Sequence, residues 1–140
     1  MQPTIEIDSF TNDRVASFRE ICTGTLCSDF KVINQKTGYW YLSYVNDDWI
    51  FAKEIWLKIE NEKDTLKLSG NFEKDTDGFG SIRETLTVKI DKKIYSFIER
   101  SLGKTIQVRV YGKQYSDISV SVKGAGEQGQ WGYLLDELKL

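Results

Sequence analysis

Apolar and polar positions alternate along most of this chain, and the alternation sets the first expectations. Ile5 and Ile7 mark a strand over residues 3–10. Thr11, Asn12 and Asp13 form a capping cluster, after which Val15, Phe18 and Ile21 or Cys22 recur at helical spacing. That spacing predicts a short helix over 13–22, closed near Gly24. Phe30, Val32 and Ile33 open strand-like sequence, and residues 37–45 are rich in aromatics and strand formers. Asn46, Asp47 and Asp48 signal a turn. Residues 49–60 then read as one long strand and 65–72 as another. In the long strand Trp49, Phe51, Ile55, Leu57 and Ile59 share one face, interrupted by Lys53, and are expected in the core. Ile50, Ala52, Glu54, Trp56, Lys58 and Glu60 share the other, expected toward solvent or a partner.

Further along, Ile82, Leu86, Val88 and Ile90 form one face of a strand over 82–90, broken by Glu84. Asp91 stands as an N-cap, Ile94, Phe97, Ile98 and Leu102 recur at helical spacing, and Gly103 closes a helix over 92–102. Strands over 105–111 and 117–123 present Ile106, Val108, Val110 and Ile118, Val120, Val122, and Gly112 joins them as a hairpin. Residues 124–132 read as a glycine-rich loop and 133–138 as a short terminal helix. Strands come in runs and do not alternate with helices. The expected fold is therefore α+β: a predominantly antiparallel β-sheet of about six to eight strands with two or three short helices packed on it. No glycine-rich strand-to-helix turn points to a parallel nucleotide-binding sheet.

Composition narrows the function. The 140 residues form one expected domain, 1–140, and carry a net charge of −2 from 19 basic and 21 acidic residues. A binder driven by phosphate contacts is usually basic, so nucleic acid is disfavoured as a partner. There is no histidine, which removes the commonest general base, the serine–histidine triad and nearly every zinc hydrolase. The charges at Glu6, Asp8, Asp13, Arg14, Arg19 and Glu20 leave no apolar core for a secretory signal. No apolar run approaches the ~20 residues of a membrane span. A cytoplasmic location is expected, with no membrane partner. In that compartment Cys22 and Cys27 are expected as free thiols, at least one of them buried. An exported protein would instead join them as a disulfide.

Candidate chemistry is sparse. Residues 73–84, EKDTDGFGSIRE, place Glu73, Asp75, Asp77, Gly78 and Glu84 where a calcium loop wants oxygen ligands and a glycine. In those residues the stretch resembles an EF-hand loop, which implies calcium held by Asp75, Asp77 and Glu84. The other reading is a polar hairpin turning at Asp77-Gly78, since both flanks look like strands. Calcium is the one cofactor suggested. No Ser-x-x-Lys motif supports a serine nucleophile, and the carboxylates select no acid–base pair.

Aromatics are dense between Tyr39 and Trp56, and alternate rings on a strand lie on opposite faces. Some are expected to miss the core. Trp131 is expected as an anchor, either to its own core or to a partner. The first functional reading is a non-enzymatic protein-binding module, a small cytosolic inhibitor or toxin-immunity-type protein. It would cover a partner, such as a basic toxin or a defence enzyme, with Trp40, Tyr44, Asp47, Asp48, Glu54, Trp56, Glu60 and Trp131. The alternative is a carbohydrate- or nucleotide-binding module with an aromatic platform at Trp40, Tyr44 or Trp56, assisted by calcium. An exposed strand edge would permit a homodimer.

Overall fold

The computed structural model describes residues 2–78, 80–122 and 129–140. Its elements begin with β1 (Thr4–Ile7), β2 (Arg14–Ser17), β3 (Ile21–Thr23), β4 (Leu26–Ile33), β5 (Thr37–Asn46) and β6 (Glu54–Ile59). They continue with β7 (Thr65–Ser69), β8 (Glu73–Thr76), β9 (Ile82–Lys89), α1 (Lys92–Ser101), β10 (Thr105–Tyr111), β11 (Tyr115–Ser121) and α2 (Gln130–Glu137). A seven-stranded sheet runs β1-β2-β4-β5-β9-β8, with β3 also paired to β4. A four-stranded sheet runs β11-β10-β6-β7. Every pairing is antiparallel.

The expected antiparallel architecture is present, but as eleven strands in two sheets with two helices among the described residues. The sheets face each other. Leu26, Phe30, Trp40, Leu42 and Leu86 from the larger sheet share one buried cluster with Ile55, Leu57, Leu66, Ile106 and Val108 from the smaller. Each inner row comes from the period-two alternation of its own strand. In α1 the Asp91 carboxylate accepts a hydrogen bond from the Ile94 N–H at 2.8 Å, and Ile94, Phe97 and Ile98 are buried. Gly103 closes the helix with φ +75°, which a side chain disfavours. The glycine-rich loop expected over 124–132 falls largely on residues 123–128, outside the described residues; its last three, Gln130 to Gly132, instead begin α2.

Two elements depart from expectation. Residues 13–22 form β2 and β3, not a helix. Val15, Ala16 and Ser17 pair with Ile33, Val32 and Lys31, and Ala16 and Phe18 turn into the core at strand spacing. Pairing with β4 outweighs a weak helical pattern. The long strand over 49–60 is a strand only from Glu54. Phe51 has φ +52°, and this left-handed residue exchanges the faces of 49–53. Ile50 and Ala52 are buried and Phe51 is 40% exposed, the reverse of the expectation. Beyond Glu54 the faces are as expected, with Ile55, Leu57 and Ile59 inside.

Glu84 holds that left-handed segment. Its side chain is fully buried on the inner face of β9. One carboxylate oxygen accepts from the Ala52 N–H at 2.8 Å and the other from the Ile50 N–H at 3.1 Å. The same segment is bonded to the smaller sheet. The Lys113 N–H donates to the Ile50 carbonyl at 2.6 Å and the Lys53 N–H to the Tyr111 carbonyl at 2.7 Å. Gly112 lets the two backbones meet, because a Cβ there would stand 2.1 Å from the Ile50 oxygen.

Cys22 and Cys27 are directly opposed across the β3–β4 pair and form a disulfide. The expectation of two free thiols is therefore corrected. The turn at Gly24, φ +57°, brings into register two residues that sequence spacing alone left apart.

Candidate functional site

The residues expected to face a partner divide. Trp40 and Tyr44 lie on the inner face of β5 and are 0% and 2% exposed, so neither presents a surface. Trp40 stacks on Phe30 at 5.6 Å, and Trp131 meets Trp40 edge-on at 5.2 Å. Trp131 thus anchors α2 to its own core. Asp47 and Asp48 are exposed on the turn after β5, and Glu60 is exposed just beyond β6. Glu54 and Trp56 stand half-buried on the outer face of β6.

The calcium residues are not brought together. Residues 73–76 and 82–89 are paired strands, and neighbouring strand residues point to opposite faces. Asp75 is exposed beside Arg83, while Glu84 points inward with both oxygens already bonded to backbone. Asp77 closes the hairpin turn by accepting the Ser81 N–H. Among the described residues, the metal-type donors that do converge are Glu20, Cys22 and Cys27, and both sulfurs are spent in the disulfide.

The outer face of the four-stranded sheet gathers the most chemistry. Strand register places Lys67, Trp56, Arg109 and Asp117 in one row across β7, β6, β10 and β11. The next row is Ser69, Glu54, Tyr111 and Tyr115, and on the other side lie Thr65, Lys58, Gln107 and Ser119. Trp56 and Tyr111 rings are 4.7 Å apart, and Tyr115 lies 6.2 Å from Tyr111. The Lys67 ammonium sits 4.1 Å over the Trp56 ring, and the Arg109 guanidinium 4.2 Å over Tyr115. Arg109 donates two bonds to the Asp117 carboxylate, at 2.6 and 2.8 Å, and one to the Tyr111 hydroxyl. These bonds raise the Arg109 pKa and hold the Asp117 carboxyl below its ordinary value. An open groove of about 450 Å³ lies on this face, between Trp56, Lys58, Gln107, Arg109, Tyr111 and Asp117.

Of this constellation the sequence singles out only Glu54 and Trp56 for a partner. Arg109, Tyr111 and Tyr115 carry no such signal along the chain. The outward set of β10, Gln107-Arg109-Tyr111, was legible as the complement of its apolar face, but its alignment with Trp56 depends on the pairing of β10 with β6.

A second polar group lies on the outer face of the larger sheet. Asp29 is half-buried there, and its pKa is pushed up to about 6, first by burial and then by the nearby Glu20 carboxylate. Arg83 and Lys31 oppose the shift. Glu20 is itself engaged by Arg83 through two bonds, at 2.6 and 2.9 Å.

Comparison of the chain with protein-family models, curated proteins and solved structures finds no match. No helix among the described residues is long and apolar enough to cross a membrane.

Proposed function

We propose that the protein is a non-enzymatic protein-binding module whose contact face is the outer face of the four-stranded sheet. The observation that supports this is the packed set of Trp56, Tyr111, Tyr115 and Arg109. Trp, Tyr and Arg are enriched among interface hot spots. Here each is held by its neighbours before any partner arrives, so little side-chain freedom is lost on binding. The charges on the face are mixed, with Lys58, Lys67 and Arg109 against Glu54 and Asp117. It suits a partner with carboxylates opposite the two lysines. A basic toxin would instead be approached through Asp47 and Asp48, which are exposed on the turn preceding this sheet. The inhibitor or immunity role is the biological setting we propose for this contact.

A carbohydrate or nucleotide is the second reading, favoured by the groove. It is weaker at Trp56, because Lys67 already covers that ring and a stacked ligand would have to displace it. A homodimer would use an open edge such as β1, where Ile5 and Ile7 are exposed. The disulfide weighs against the cytoplasmic location expected from sequence, since the cytosol keeps thiols reduced.

The test is affinity capture from the native host with the unaltered protein and with a Trp56→Ala/Arg109→Glu variant. A stoichiometric partner is expected on the former and lost on the latter. It should survive Asp75→Ala, a change on the β8 hairpin. Equal retention by all three proteins would remove this face as the contact site.

A further inference from the structure

We propose that reduction of the Cys22–Cys27 disulfide turns the β3–β4 hairpin into a site for one divalent cation of the zinc class. Its ligands are both thiolates and the Glu20 carboxylate. The site belongs to the larger sheet and does not rest on the contact face proposed above. One ligand atom from each of Glu20, Cys22 and Cys27 lies within 4.8 Å of the other two. Cys22 and Cys27 stand opposite each other in the β3–β4 register, and the Cys22 sulfur is 3.8 Å from a Glu20 carboxylate oxygen. Zinc binds thiolate sulfur at about 2.3 Å and carboxylate oxygen at about 2.0–2.2 Å, which sets the donors of one tetrahedral site about 3.5–3.8 Å apart. The carboxylate already stands at that distance from Cys22. The two sulfurs reach the same spacing by side-chain rotation once their bond is cut, with the strand pairing kept. The four residues between the cysteines lie within the range that zinc sites use.

The donor set selects the ion. Two thiolates and one carboxylate suit a borderline-soft cation, whereas calcium and magnesium take oxygen ligands. Arg83 holds the carboxylate in place. It donates one bond to each Glu20 oxygen, at 2.6 and 2.9 Å, and leaves each oxygen a lone pair for the metal. The ion, two thiolates, carboxylate and guanidinium together carry no net charge, so no charge at the site is left uncompensated. Cys22 is exposed and Cys27 buried, so a dithiol reductant reaches the Cys22 sulfur. Its thiolate bonds to that sulfur, the Cys22–Cys27 bond breaks, and Cys27 leaves as a thiolate. The second thiol of the reductant then displaces Cys22 and closes the reductant's own disulfide. Two electrons have passed to the protein, and the cation releases the thiol protons to solvent as it binds. Water fills the fourth position on the exposed Cys22 side.

The test is a cobalt(II) titration of the full chain, once oxidised and once reduced with dithiothreitol and freed of it under nitrogen. The reduced chain is expected to bind one cobalt, with sulfur-to-metal charge-transfer absorption, and to give it up to one zinc. The oxidised chain should show no such absorption. Glu20→Gln should weaken binding at least about tenfold, and Asp64→Asn, an exposed carboxylate just before β7, should leave it unchanged. Denaturing urea should weaken it as much as Glu20→Gln does, because only the fold brings Glu20 to the two thiols. Absence of the absorption in the reduced chain, its presence in the oxidised chain, or cobalt retained against zinc would each overturn the proposal. An equal effect of Glu20→Gln and Asp64→Asn would also overturn it. So would equal binding in urea, which is the mark of a loose dithiol and not of a folded site.

Discussion

Glu84→Gln is the sharpest test of how the two sheets are joined. The buried carboxylate accepts the N–H groups of Ile50 and Ala52, one on each oxygen. An amide of the same shape keeps one acceptor and turns its NH₂ toward the other N–H. Two terms oppose each other. A neutral amide is cheaper to bury than a carboxylate, which favours the variant. Against this, one bond to a charged acceptor is lost, worth about 1.5–3 kcal/mol, and a buried donor is left unpaired at about 1–3 kcal/mol. The segment cannot turn away, because the Ile50 carbonyl and the Lys53 N–H are bonded to Lys113 and Tyr111. The loss should therefore win, at about 2–4 kcal/mol net. With an unfolding entropy of roughly 2 cal/mol/K per residue, a chain of this length loses about 3.5 °C of Tm per kcal/mol. A fall of about 7–14 °C is expected in a calorimetric melt, with faster amide exchange at Ile50 and Ala52. A fall under about 2 °C with both amides still protected would refute the reasoning.

Gly112→Ala should destabilise by about 3 kcal/mol, since its Cβ would collide with backbone and not with a movable side chain; a melt within 2 °C of the parent, on the order of the error, would contradict this. Asp29 has a raised pKa in the fold, so the native state holds its proton more tightly than the unfolded chain, and stability falls as pH rises from about 4 to about 6. Asp29→Asn should therefore gain stability over the parent across that window and keep the gain at higher pH; a Tm difference that does not change between those limits would exclude it. Reducing Cys22–Cys27 opens a short loop and should lower stability by about 2 kcal/mol, with no thiol titratable beforehand. A Cys22→Ser/Cys27→Ser protein as stable as the oxidised parent would show that the bond does not constrain the chain.

What the chain determined by itself is local. Alternation in residues 82–90 and 105–111 marked β9 and β10, because one covered face is enough to write a period of two. The Asp91 cap, the spacing of Ile94, Phe97 and Ile98, and Gly103 marked α1 for the same reason: cap, stripe and stop lie within one helix. What only the tertiary structure decided depends on pairs far apart in sequence. The faces of β5 were legible, but not that Trp40 and Tyr44 belong to the covered one; that follows from the second sheet and α2 closing over them. Residues 13–22 carried a weak helical spacing that β4 overrode by pairing. Glu84 interrupted an apolar face without a visible reason, because the N–H groups it satisfies lie 32 and 34 residues away. The outer face of the four-stranded sheet is of the same kind. Lys67, Trp56, Arg109 and Asp117 form a row only because four strands share one register, and register is a long-range property that no single strand encodes.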